Sequence, residues 1–269
     1  LRSLVGSEMC IRDSPWHRRK KHLMMMNKIQ GRLKRYDGVI LRLQKSRTTQ
    51  LTLTIYTRQE GLLKVFAPKG KRGYTQGFGS LVAFSRITFD AWQHNGIQTL
   101  GEYDCQRSLL MDHLDWDDYC YTQIFTELVL ALFPPHEQNL NVFERIVAYS
   151  HSIGNHNIRV ATIIAGWQLV ACAGYEPDTE KACIYRTGVD GLNRPVYYIA
   201  DSEDTGNVAV LPLSVPEEIR LLWARFLSYR WGREETLHIS PKALTFLERL
   251  LYCYVEELTG RTLKSVSFS

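Results

Sequence analysis

From Tyr36 to Tyr103 apolar and polar residues alternate with period two, the signature of strands with one buried face. Five such runs can be marked. The first spans 39–43 and gives way to a polar stretch, 44–50. The second spans 51–56 and is rich in Thr, Leu and Ile. Residues 58–61 read as a turn, and 62–67 form the third run. Residues 68–79 hold four Gly, two Lys and one Arg, which marks a basic loop. The fourth run, 81–92, alternates through Val82, Phe84, Ile87 and Phe89. His94-Asn95-Gly96 makes a turn before the fifth run, 97–103.

After Ser108 the period lengthens to that of a helix. Tyr119, Gln123, Phe125, Leu128, Val129 and Leu132 share helical spacings over 119–133, with Asp115, Asp117 and Asp118 at the start. Negative charge there suits the helix dipole, and Pro134-Pro135 ends the helix. Further helices are predicted over 140–153 and 158–173, with Gly154 and Gly174 closing them. Residues 176–212 form a long insert with one β-like run, 196–199. Residues 216–229 are helical, and Ser240-Pro241 opens a last helix ended by Gly260. The fold class is α+β: a five-stranded barrel, for which the OB fold is the common solution, followed by an all-helical domain. The domains are 26–107 and 108–269, with the insert at about 176–213.

Residues 1–25 show no structural period and read as a non-native or disordered leader, with the native start at Met24, Met25 or Met26. A genuine basic arm is the rival reading. The distinction matters for charge. The formal net charge of +5 arises within residues 1–29, and the remainder carries equal numbers of basic and acidic residues. The useful signal is asymmetry: 13 Lys/Arg against five Asp/Glu in 30–107, and 13 against 21 in 108–269. A basic half joined to an acidic half points to different partners. No apolar run approaches the ~18 residues of a membrane span. The six cysteines form no C-x-x-C pair, so reduced thiols and a cytoplasmic setting are expected.

Three segments in order resemble the RecO family of recombination mediators. The first holds Gly38-Val-Ile-Leu-Arg42, Leu51-Thr-Leu-Thr-Ile-Tyr-Thr-Arg58, Glu60-Gly61 and Lys69-Gly-Lys-Arg72. The second is Gly174-Tyr-Glu-Pro177 followed by Cys183. The third runs from Ser240-Pro-Lys-Ala-Leu244 to Gly260-Arg-Thr-Leu-Lys-Ser-Val-Ser-Phe268. The resemblance covers about 30–269. It implies an OB domain, a helical domain and a zinc ribbon between helices. It also implies binding to single- and double-stranded DNA, strand annealing, and work with RecR and the C-terminal tail of single-stranded DNA-binding protein to load RecA. At the ribbon this chain departs from the family. Cys183 matches the first ligand, but Arg186 stands where the second cysteine belongs, and no second pair lies between Tyr197 and Leu213. Structural zinc needs four such ligands. The insert is therefore a degenerate ribbon, and neither metal nor cofactor is expected.

A barrel holds a single strand with cations that follow phosphates and aromatics that stack on bases. The DNA-binding candidates are Arg35, Arg42, Lys45, Arg47, Lys64, Lys69, Lys71, Arg72, Tyr74 and Arg86, with Lys69, Lys71 and Arg72 foremost because a Gly-rich basic loop can wrap a backbone. Arg261 and Lys264 match the family ending and either add to DNA binding or dock the tail on the barrel. The acidic, apolar tail of the single-strand-binding partner needs an apolar groove with a basic rim, whose residues the sequence does not locate.

No Walker loop, G-x-S-x-G or H-E-x-x-H occurs, so no enzyme is expected. Two other readings stand: a protein-binding adaptor without DNA contact, and a metal-dependent nuclease built on Asp115, Asp117 and Asp118. The second is the weaker, because two-metal chemistry needs carboxylates converging from separate elements.

Overall fold

The computed structural model describes residues 32–45, 51–67, 81–108, 110, 115–200, 212–233 and 237–267. The leader 1–25, Arg47, Lys69, Lys71, Arg72 and Tyr74 lie outside the described residues. Strands β1 (Arg32–Lys45), β2 (Leu51–Thr57), β3 (Gly61–Ala67), β4 (Arg86–His94) and β5 (Ile97–Gln106) close into a barrel of order β1-β2-β3-β5-β4. Every neighbouring pair is antiparallel except β3 and β5. This is the OB arrangement. Its interior is filled by Tyr36, Ile40, Leu53, Ile55, Leu63, Val65, Ile87 and Phe89.

β1 has 14 residues, far more than the expected run at 39–43. Its first half pairs with β4 and its second half with β2, so one strand closes both seams. The first half was hidden because Lys34, Arg35 and Asp37 surround a single inward aromatic, Tyr36. Midway the register slips: Ile40 faces Ile55, but Arg42 faces Thr54. This bulge turns Leu41 and Arg42 to the same outer side. Leu41 is buried against the helices, and Arg42 is exposed.

The fourth strand starts at Arg86 rather than at 81. Phe84 breaks the alternation by adopting φ +61°, a left-handed conformation that a bulky side chain rarely takes. Its N–H donates to the Ile40 carbonyl at 2.6 Å, and its ring packs on Phe125 and Tyr149 at 6.0 and 5.6 Å. Phe84 thus belongs to the helical core, not to the barrel.

The helices are α1 (Trp116–Leu132), α2 (Leu140–Ser152), α3 (Ile158–Cys172), α4 (Glu217–Ser228) and α5 (Pro241–Thr259), followed by a short 3-10 turn, Lys264–Ser267. α3 is apolar almost all round and forms the central column, with Trp167 against Trp223 of α4 at 4.8 Å. Asn139, Asn157 and Ser240 cap α2, α3 and α5 through their side chains. Gly260 ends α5 in the left-handed region, φ +62°.

The barrel is joined to this core through Val39, Leu41, Tyr56, Leu62 and Phe84. Polar contacts fix the joint. His136 N–H donates to the Leu62 carbonyl at 3.1 Å, and Gln138 Nε2 to the Arg58 carbonyl at 3.0 Å. Gly61 sits at the tightest point, with φ +65° and its Cα against the Glu137 backbone.

Where the sequence showed one β-run in the insert, the structure has a hairpin, β6 (Cys183–Val189) and β7 (Pro195–Ala200). β6 escaped notice because a bulge between Arg186 and Gly188 breaks its alternation. Asp190 at the turn ties the hairpin to α5: it accepts from Arg194 Nε at 2.8 Å and Arg249 Nη2 at 3.0 Å. Backbone N–H donors led by Arg194 pull its pKa down to about 2. A depressed carboxylate contributes stability above its unfolded value that is lost as pH falls through the folded one. Asp190→Asn is therefore expected to lower Tm by a constant amount from pH 7 to about 4, with the gap closing between about 4 and 2. Thermal melts of both proteins across that range test this; a gap as large at pH 2 as at pH 7 would contradict it.

The cysteines of the described region form no disulfide with one another, and Cys120 and Cys253 are buried. Among the described residues no helix is long and apolar enough to cross a membrane.

Candidate nucleic-acid interface

Pleating and register decide which barrel side chains share a surface. Arg42 of β1 lies opposite Thr54 of β2, which lies opposite Lys64 of β3. The parallel pairing of β3 with β5 (Val65 with Gln98, Phe66 with Thr99) brings Lys64 level with Ile97, and Ile97 lies opposite His94 of β4. These five residues form one row on the outer side of the barrel, in which Thr54, between the two cations, is itself buried. Arg42, Lys64 and His94 are exposed, and Arg42 and Lys64 have no acidic partner among the described residues.

The row two residues further along holds Gln44, Thr52, Phe66, Thr99, Trp92 and Leu33, by the same strand register. Neither row contains a carboxylate. On the other side, Tyr56, Leu62 and Leu41 are covered by the helices. The basic row thus borders the joint with the helical domain.

The sequence candidates divide in two. Arg42 and Lys64 stand in the basic row, and Lys45 is exposed at the barrel end where β1 stops. Leu51 pairs with both Lys45 and Ala67, so the segments carrying Arg47 and Lys69–Arg72 are joined to that same end. Arg35 and Arg86 lie elsewhere and are engaged by acids. Arg86 grips Asp37 with two bonds, 3.1 and 2.9 Å, which hold the guanidinium pKa above its usual range. Arg35 lies 3.8 Å from Asp90. At the opposite end of the barrel Lys34 pairs with Glu60, and burial together with that carboxylate pushes Tyr36 up to about 12.

The tail does not dock on the barrel. Arg261 Nη1 donates to the Leu130 carbonyl at 3.2 Å, and Ser265 N–H to Glu127 Oε2 at 2.9 Å, both on α1. Lys264 is exposed on the short turn that follows. Apolar Leu263 and Val266 anchor the tail in the helical core, which the charges alone did not reveal. Asp115, Asp117 and Asp118 all lie within the N-terminal turn of α1.

A concavity of about 680 Å³ opens between α5, β7 and the start of α3. Phe246 and Tyr197 pack edge to face at its base, 5.1 Å apart. Arg159, Arg194 and Lys242 line it together with Glu248, while Arg249 is buried and, like Arg194, engaged by Asp190. Arg159 Nε donates to Glu248 at 3.1 Å, while Lys242 is exposed and has no acidic partner among the described residues. The sequence did not assemble this groove, because its walls come from segments about 50 to 90 residues apart. The only local signal was Lys242 and Phe246, one helical turn apart.

Comparison with known proteins agrees with this architecture. The family model described as "Recombination protein O N terminal" matches residues 32–109, and "Recombination protein O C terminal" matches 113–267. A protein of Desulforamulus reducens named "DNA repair protein RecO" is 21% identical over 242 residues, covering 86% of this chain and 92% of its own. Among solved structures, an asparaginyl-tRNA synthetase of Entamoeba histolytica aligns over 65% of this chain and 41% of its own, at 11% identity and a TM-score of 0.27, too low to carry an argument.

Proposed function

The chain belongs to the RecO family of DNA-repair proteins, and from that premise we propose that it is a recombination mediator that works by binding rather than by bond-breaking. The observation that carries this reading is the pair of adjacent acid-free rows on the outside of the barrel, with Arg42 and Lys64 in one of them. Cations in register neutralise successive phosphates of a strand, and the released counterions drive binding. Lys45 extends that path at the barrel end, and Arg47, Lys69, Lys71 and Arg72, which lie outside the described residues, are proposed as further DNA contacts by their charge. Arg35 and Arg86 contribute less, because Asp90 and Asp37 already compensate them. The strand so held is presented to complementary DNA for annealing, and with RecR the protein helps RecA load.

The helical domain recruits the protein that coats the strand. The Phe246–Tyr197 groove has the apolar floor and basic rim that an acidic, apolar C-terminal tail requires. Phe246→Ala is expected to weaken capture of such a peptide about tenfold, the effect of losing one buried aromatic anchor. Unchanged affinity by calorimetry would place the partner elsewhere. The β6–β7 hairpin is the remnant of a zinc ribbon whose second ligand position is now Arg186.

The test of the DNA reading is fluorescence anisotropy of a labelled single-stranded oligonucleotide across a salt series. Binding that weakens steeply with salt is expected. Absence of binding at low salt would overturn the reading and favour a protein-binding adaptor.

A further inference from the structure

Three large apolar side chains on the outside of the barrel enter neither core: Leu33, Trp92 and Ile97 are 48%, 37% and 52% exposed. Their positions are related. Trp92 lies opposite Leu33 on one side and Thr99 on the other, and Thr99 is level with Phe66. The row Phe66–Thr99–Trp92–Leu33 therefore runs beside the row that holds Lys64 and Arg42. Two strand steps, about 10 Å, separate the two aromatics, and two residues along a strand, about 7 Å, separate the rows. Trp92 makes no ring contact among the described residues. The next outward carboxylate on its strand, Asp90, lies opposite Arg35.

A self-contained barrel gains nothing from leaving an indole in water beside a leucine. A polyanion that also offers flat apolar rings would satisfy both rows at once. Such a ligand is an unpaired nucleic-acid strand, with phosphates on the cations and bases on the aromatics. A duplex buries its ring faces in its own stack and can use only the cationic row.

We infer that Trp92, supported by Phe66 and Leu33, is a stacking platform for unpaired bases, and that it makes the barrel prefer single-stranded over duplex DNA. This rests on the DNA reading above. The charge pattern argues for this occupant over a second protein: two adjacent rows without a carboxylate suit a polyanion.

The experiment compares wild-type, Trp92→Ala, Trp92→Phe and the Arg42→Ala/Lys64→Ala double variant on single-stranded and duplex oligonucleotides of equal length, across salt, with circular dichroism to confirm folding. Trp92→Ala is expected to lose about tenfold in single-strand affinity, with the salt slope and duplex affinity unchanged, and Trp92→Phe to restore most of the loss. An equal loss on both DNAs would overturn the inference. So would an unchanged Trp92→Ala alongside a weakened double variant, although the DNA reading would then stand. If wild-type protein binds neither DNA, both fall together.

Discussion

Gly61→Ala is expected to lower the melting temperature by about 10 °C, because an added methyl there meets the closest contact of any described glycine. A Cβ at Gly61 would lie 1.9 Å from the Glu137 carbonyl oxygen and 2.7 Å from its carbon. Both are backbone atoms of the segment joining α1 to α2, so no rotamer change relieves the clash. The conformation itself, φ +65°, adds about 1 kcal/mol for any residue with a Cβ. Overpacking adds about 1–3 kcal/mol. Gly96 separates the two contributions: its φ is +75°, but nothing lies within 4 Å of its added Cβ. Gly96→Ala should therefore cost only the conformational part, a fall of about 3 °C. Thermal melts of the two variants decide the matter. Equal falls would mean that the barrel and helices can separate at this joint without penalty.

The second large effect concerns Arg42 and Lys64. Each phosphate contact to a single strand contributes about 0.7 to the slope of log affinity against log salt. Removing two contacts should reduce the slope by about 1.4, which at about 0.1 M salt corresponds to roughly 25-fold weaker binding. Arg86→Ala should behave differently. It breaks the two bonds to Asp37 across β1 and β4, and so should lower stability while leaving the slope nearly intact. Anisotropy titrations of the two variants side by side test the division. A larger loss of slope from Arg86→Ala than from the double variant would refute it.

That division marks where sequence reading stopped. Periodicity exposed the barrel and all five helices, because β2, β3 and the buried face of each helix repeat without interruption. It failed at local irregularities with distant causes. Phe84 looked like a strand residue, yet a left-handed backbone sends it to Phe125 and Tyr149. The bulge at Leu41 lets one strand serve both the helical core and the solvent. Among the cations, composition gave the sign of the barrel but not which charges were spent. Arg35 and Arg42 look alike in sequence; only register shows that one faces Asp90 and the other Thr54. Trp92 went unnoticed as a surface residue because an aromatic in an alternating run is ordinarily read as core. The concavity between α5 and β7 was beyond reach for a simpler reason: its floor is completed by a hairpin of which only one strand was visible.

The separation of the cationic barrel from the acidic helical half has a consequence at the scale of the screening length. Ionic fields decay over about 10 Å at 0.1 M salt and about 30 Å at 0.01 M. α5 alone, with 19 residues, is nearly 30 Å long at about 1.5 Å per residue. In ordinary salt a strand held at Arg42, as proposed, would therefore feel only the carboxylates within about 10 Å, and the balanced charge of residues 30–269 would oppose it little. In very dilute salt the two poles merge into one field, and the acidic half begins to repel the same strand. Dilution beyond that point should bring diminishing gains in attraction, so the salt dependence expected of the proposed binding flattens at the lowest salt.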